Sequence, residues 1–92
     1  MKDDFDKLLT NINLLSENKV FNDKIIAYLK DNFKYLFENK IFIEKSEKGI
    51  VISWDISRSS VNISLEFEYP NKINRKDFDS FDMLYFNREM YF

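Results

Sequence analysis

The segment GIVISWDISRSSVNISLEFEYP, residues 49–70, alternates apolar and polar side chains over most of its length. A period of two residues is typical of β-strands that bury one face and expose the other. The polar run SRSS at residues 57–60 predicts a turn between two such strands. The alternation fixes the register, because a shift of one residue would expose the whole apolar row to water. That row consists of Ile50, Ile52, Trp54 and Ile56 in the first strand and Val61, Ile63, Leu65, Phe67 and Tyr69 in the second.

The opposite row of this hairpin is mostly polar. It consists of Val51, Ser53 and Asp55 in the first strand and Asn62, Ser64, Glu66 and Glu68 in the second. Antiparallel sheets commonly pack one face on the core and leave the other in water. We therefore expect this row to lie on the solvent face of the sheet.

Helical periodicity precedes the strands. Between Asp3 and Leu15 the apolar residues follow the 3.6-residue period of an amphipathic helix. A second helix is predicted to begin with Asn22 as its N-cap and to stop at Asn39. The short connection, residues 16–21, predicts that the two helices run antiparallel. The expected buried face of the second helix consists of Ile25, Ile26, Leu29, Phe33, Leu36 and Phe37.

After Lys40 the apolar period changes from about 3.6 to 2, which marks the passage from helix to sheet. Ile41 and Ile43 are predicted to open the first strand. The run SEKG, residues 46–49, predicts a turn at the only glycine of the chain.

Pro70 is predicted to end the hairpin, and PNKINRKD, residues 70–77, to form a surface loop. A fourth strand is predicted near residues 83–87. Its two faces are both apolar, so it is either covered on both sides or offers surface to a partner. These elements predict a single α+β domain over residues 1–92. Two N-terminal helices pack on one face of an antiparallel meander of three to four strands, in the order α-α-β-β-β-β.

The composition excludes most catalytic machinery. The 92 residues include no His and no Cys, so histidine-assisted nucleophiles and the usual zinc sites are ruled out. One glycine is too few for a phosphate-binding loop. Glu66 and Glu68 lie two residues apart on one strand face, but glutamates in such positions are normally only solvated. We expect a protein that is not an enzyme and that uses no cofactor and no metal.

The formal net charge of −2 creates no strong long-range field. No stretch approaches the roughly 18 consecutive apolar residues of a membrane span, and the first residues are acidic where a signal peptide is basic. We expect a cytoplasmic protein with no membrane partner. Abundant Lys, Asn, Ile and Phe are typical of AT-rich coding in low-GC bacteria and their phages.

Three surfaces are candidates for binding. Lys72, Arg75 and Lys76 can contact phosphates, but Asp77 and Asp79 follow them, so weak nucleic-acid binding is only an alternative. The solvent face of the sheet offers an apolar centre rimmed by carboxylates, which suits a basic protein surface. The residues of this partner-binding face are Phe42, Glu44, Val51, Asp55, Glu66 and Glu68. The second candidate interface, which would close a homodimer, is Tyr85, Phe86, Tyr91 and Phe92.

The leading functional hypothesis is a noncatalytic protein-binding module. It would act as an inhibitor or adaptor that places the acidic sheet face on a basic site of another protein. Small acidic proteins of phage origin that inhibit bacterial defence enzymes, such as anti-CRISPR proteins, are an analogy of size and composition. The alternatives are an antitoxin or immunity partner and a homodimeric structural protein.

Overall fold

The computed structural model describes residues 3–56 and 61–92. Two helices precede a five-stranded antiparallel sheet in which each strand pairs with its neighbours in sequence. The chain therefore has the predicted α+β class, with five strands rather than three to four. The elements are α1 (Asp4–Leu15), α2 (Lys19–Asn32), β1 (Ile41–Lys45), β2 (Gly49–Ile56), β3 (Val61–Glu68), β4 (Lys72–Phe78) and β5 (Leu84–Tyr91).

Helix α1 forms where its periodicity predicts it. Asp3 is the N-cap, and its carboxylate accepts a hydrogen bond from the Asp6 backbone N–H at 2.8 Å. This bond satisfies one of the free N–H groups of the first turn. Leu8 and Ile12 are the buried residues of the helix, as the apolar stripe indicates.

Helix α2 begins earlier than predicted. Its N-cap is Asn18, whose Oδ1 accepts from the Phe21 backbone N–H at 3.0 Å, so the assignment of Asn22 as the cap was wrong. Asn22 is fully buried inside the first turn instead. Its Nδ2 donates to Asn13 Oδ1 and to the Ser16 carbonyl oxygen, both at 2.8 Å. Both asparagines suit a cap, and the tertiary contacts of Asn22 with the end of α1 decide between them.

Helix α2 also ends well before the predicted stop at Asn39. Phe33 leaves the helical conformation, and its ring lies 4.9 Å from the ring of Trp54 in β2, measured between centroids. The following residues form a 3-10 helix, Leu36–Glu38, in which Leu36 remains buried. The apolar pattern therefore continues past the point at which the α-helical backbone stops.

The hairpin of β2 and β3 has the predicted inward row. Ile50, Ile52 and Trp54 stand opposite Phe67, Leu65 and Ile63, and all six side chains are buried. The predicted turn at residues 57–60 lies outside the described residues. Tyr69 was placed in the buried row wrongly, because β3 ends at Glu68 and the tyrosine is 62% exposed.

The predicted surface loop at residues 70–77 is wrong, because β4 occupies most of it and pairs with β3. Only Ile73 continues the buried apolar row in this strand. The next inward positions hold Arg75 and Asp77, joined by hydrogen bonds of 2.9 and 3.0 Å. An ion pair thus occupies the inward positions, where apolar residues would have indicated a strand in the sequence. The strand predicted at residues 83–87 is the fifth, β5, and it extends to Tyr91.

The core combines side chains from both helices and from the sheet in one hydrophobic cluster. The Tyr28 ring of α2 contacts the Phe67 ring of β3 with 5.9 Å between centroids. Phe92, after β5, contacts the same Phe67 ring at 5.4 Å. Aromatic edge-to-face contacts of this kind add to the stabilisation from buried area.

Candidate protein-interaction surface

The sheet has a second side, here called the outer face, formed by the side chains that alternate with the buried rows. Successive residues of a strand point to opposite faces, so the register assigns these positions directly. The outer face contains Phe42 and Glu44 of β1, Val51, Ser53 and Asp55 of β2, Asn62, Ser64, Glu66 and Glu68 of β3, Lys72, Asn74, Lys76 and Phe78 of β4, and Asn87, Glu89 and Tyr91 of β5.

One line of direct neighbours crosses all five strands of the outer face. We call it the central acidic row: Glu44, Val51, Glu66, Asn74 and Glu89. It carries three carboxylates and an amide, with one apolar side chain between the first two acids. Asn74 Oδ1 is buried and accepts no hydrogen bond within residues 3–56 and 61–92. The central acidic row is therefore rich in hydrogen-bond acceptors and poor in hydrogen-bond donors.

The predicted partner-binding residues meet on this face to different degrees. Glu44, Val51 and Glu66 are adjacent members of the central acidic row. Phe42 lies in the neighbouring row and is 46% exposed, with Lys40 Nζ 5.2 Å from its ring centroid. Asp55 lies at the end of the sheet and accepts a hydrogen bond from Asn62 Nδ2 at 2.9 Å.

Glu68 is less available than the sequence suggests. Its side chain is only 14% exposed, and Lys72 Nζ approaches its Oε2 at 3.8 Å. The same ammonium group lies 3.0 Å from Glu89 Oε1, and this hydrogen bond is the main reason that the pKa of Lys72 is raised. Within the described part of the chain, Glu44 and Glu66 make no ion pair. These two carboxylates are therefore the strongest candidates to attract a cationic partner.

Lys72, Lys76 and Glu89 belong to the outer face but were not predicted there. Residues 70–77 were interpreted as a loop, and the last predicted strand ended near residue 87. The face holds five carboxylates, namely Glu44, Asp55, Glu66, Glu68 and Glu89, and two lysines. Its charge is therefore −3, five minus two, which exceeds in magnitude the formal charge of −2 for the whole chain. The negative charge is concentrated on this side of the sheet.

The cations proposed for nucleic-acid contacts are divided between the two faces. Lys72 and Lys76 point to the outer face, whereas Arg75 lies on the inner face in its ion pair with Asp77. Lys72 is also engaged by Glu68 and Glu89. Affinity for nucleic acid grows with the number of phosphates that a protein neutralises, so this division works against a phosphate-binding patch.

The residues of the second candidate interface do not form one surface. Tyr91 is exposed on the outer face, and Tyr85 is exposed at an irregularity in the pairing of β4 with β5. Phe86 lies on the inner face, with the Arg75 guanidinium 5.3 Å from its ring centroid. Phe92 packs into the core, 5.9 Å from the Phe21 ring.

A depression of about 640 Å³ lies between the α1–α2 connection and the turn from β1 to β2. No group of three or more acidic residues within the described ranges is arranged to hold a metal ion. None of the described helices combines the length and the apolar character that crossing a membrane demands. No protein-family model, no curated protein and no solved structure matches the chain.

Proposed function

We propose that this protein is a noncatalytic binding module that places its acidic outer face on a basic site of another protein, as an inhibitor or adaptor. The observation that carries the proposal is the central acidic row. It supplies two carboxylates without ion pairs in the described residues, Glu44 and Glu66, on either side of Val51. Opposite charges increase the rate of encounter, and apolar atoms at the centre slow dissociation.

The proposal includes the arrangement of helices and sheet. We take α1 and α2 to cover the inner face together, which leaves the outer face free for a partner. The ring contacts of Tyr28 with Phe67 and of Phe33 with Trp54 support this arrangement, because each joins α2 or its end to an inward position of the sheet. The exposed side chain of Phe42 supports an accessible outer face.

The biological setting that we propose is inhibition of a nucleic-acid-directed defence enzyme, as in phage proteins of the anti-CRISPR type. Such enzymes hold their nucleic acids in basic channels, and a carboxylate-rich sheet can compete for the same cations. Size and amino-acid composition support this setting. The contact chemistry would be the same for an antitoxin or immunity protein, so the identity of the partner distinguishes these roles.

A charge-reversal experiment tests the proposal. The tagged wild-type chain is used to capture proteins from a lysate of a low-GC bacterium, and the captured protein is identified by mass spectrometry and purified. Calorimetric titration then compares wild type with the double variant Glu44→Lys/Glu66→Lys. We expect at least about a tenfold loss of affinity, because like charges across an interface are strongly unfavourable. The salt dependence of binding should also become weaker.

The matched control is Glu17→Lys/Asp31→Lys. It changes the net charge by the same amount, at exposed positions on the helical part of the chain. We expect this control to bind like wild type, since it leaves the outer face intact. Equal affinity of the outer-face variant and the control would refute the proposed surface. Circular dichroism of both variants checks that the fold is retained.

A further inference from the structure

Strand β5 forms an open edge of the sheet. It pairs with β4 on one side, and within the described ranges no strand pairs with its other side. Seven of its eight residues are exposed, and its sequence LYFNREMY contains neither Pro nor Lys. Proteins commonly protect exposed edges with Pro, with charged residues or with bulges. This edge has no Pro, two charged residues, Arg88 and Glu89, and an irregularity only near its start, at Tyr85, so residues 86–91 are open to pairing with another strand.

The backbone groups that point to this edge can be assigned. The Phe92 backbone N–H donates to the Asn71 carbonyl oxygen at 2.8 Å, one step beyond the opposed pair of Tyr91 and Lys72. Hydrogen-bonded and non-hydrogen-bonded pairs alternate in an antiparallel ladder. Tyr91, Glu89 and Asn87 therefore direct their backbone N–H and C=O groups away from β4 and toward the edge.

We propose that this edge pairs with the same edge of a second copy of the chain, antiparallel and centred on Asn87. The two-fold axis then lies midway between the two backbone hydrogen bonds that Asn87 exchanges with Asn87 of the second copy. On the inner face, Phe86 meets Arg88 of the second copy, and Glu89 lies beside the irregularity at Tyr85 of the second copy. The pairing produces a continuous ten-stranded sheet.

Charge selects this register over those centred on the next two residues. A two-fold axis at Arg88 would oppose two guanidinium groups, and an axis at Glu89 would oppose two carboxylates; like charges directly opposite each other destabilise strand pairs. Arg88 already faces Arg75 across the β4–β5 pair. Within the described residues it has no carboxylate in ion-pair contact. In the Asn87-centred register it gains the ring of Phe86 and a favourable cation–π contact.

The pairing is independent of the proposed partner docking but affects its geometry. A two-fold axis perpendicular to the sheet keeps both outer faces on the same side. The dimer would therefore present two central acidic rows to one partner, or to two adjacent basic sites. Pairing of two short strands belongs to the class of small interfaces, so we expect a dissociation constant on the order of 10 µM.

Sedimentation equilibrium of the full chain tests the proposal. Wild type is expected to dimerise as its concentration rises to about 100 µM, in line with the affinity expected of a small interface. Asn87→Pro removes the backbone N–H that points away from β4. An edge strand tolerates proline at such a position, so this variant should remain folded but monomeric. Asn87→Ala keeps the N–H group and should dimerise like wild type. A wild-type chain that stays monomeric overturns the proposal and leaves the edge to a strand of a different protein.

Cysteine cross-linking tests the register and remains decisive if the proline variant does not fold. The chain has no native cysteine. Asn87→Cys places two thiols on opposed residues with Cα atoms about 5.5 Å apart, within the range of a disulfide. Glu89→Cys is the matched control, because the two copies of that residue lie about 14 Å apart along the strands. Oxidation should cross-link only Asn87→Cys, and faster cross-linking of Glu89→Cys refutes this register.

Discussion

Removing Arg75 from its ion pair with Asp77 is predicted to destabilise the protein more than replacing both partners. The guanidinium Nε and Nη2 donate to the two carboxylate oxygens at 2.9 and 3.0 Å. The Asp77 side chain is only 9% exposed, and that of Arg75 is 29% exposed. Hydrogen bonding to Asp77 is the main reason that the pKa of Arg75 is raised.

The magnitude follows from burial. Removing one partner of a buried pair costs about 3–5 kcal/mol. Water reaches the position of Arg75 and screens the remaining charge, so we expect about 2–3 kcal/mol for Arg75→Met. Asp77→Leu leaves the more exposed partner and should cost about 1–2 kcal/mol. In the double variant the new leucine lies between Ile63 and Phe86, so the loss should stay below about 1.5 kcal/mol.

Urea unfolding provides the assay, with fluorescence of Trp54 as the signal. This is the only tryptophan, and it is buried against the Phe33 ring. The four proteins of the cycle should give a coupling free energy of about 2 kcal/mol. Single losses that add to the loss of the double variant within about 0.5 kcal/mol would refute the reasoning. The control Lys7→Met, which removes an exposed pair with Asp4, should change the stability by less than about 0.5 kcal/mol.

Two further predictions concern a close backbone contact and an alkaline transition. A Cβ atom at Gly49 would collide with the carbonyl group of Phe67, so Gly49→Ala should cost about 2–3 kcal/mol in urea unfolding, and unchanged stability would contradict the geometry. Burial raises the pKa of Tyr28 against the opposing effect of two nearby arginines. Its contribution to stability is complete below the ordinary pKa of about 10 and is lost as the pH rises through the higher folded value. Tyr28→Phe should therefore flatten the decline in unfolding free energy above about pH 10, and an equally steep decline would show that the phenol plays no part.

The hairpin of β2 and β3 was predictable because its alternation is uninterrupted. Two matching apolar rows face the core, and only one register buries both. The rows are Ile50, Ile52 and Trp54 in β2 and Ile63, Leu65 and Phe67 in β3. The same pattern assigned Glu66 and Val51 to the outer face, where the structure brings them side by side. The availability of Glu66 to a partner is part of the proposed function, and the charge-reversal variant tests it.

Strand β4 was not predictable from the same signal. Its inward positions hold Arg75 and Asp77. Charged residues like these normally indicate a solvent-exposed segment, but here the two side chains neutralise each other along the same strand. Its backbone groups form hydrogen bonds with β3 and β5. The local pattern of residues 70–77 contains no signal for these distant pairing partners. Without this strand, Lys72 was assigned to a loop, and its effect on Glu68 was invisible.

By itself, the sequence determined the order of helices before strands, the inward rows of β2 and β3, and the absence of His and Cys. These properties depend on residue types and on their spacing along the chain, which are local. Only the tertiary structure decided the end of α2 at Phe33, the fifth strand, and the division of the basic residues between two faces. Each depends on contacts between residues distant in sequence, because ring packing, strand pairing and charge neutralisation are supplied by neighbours that the local pattern does not contain.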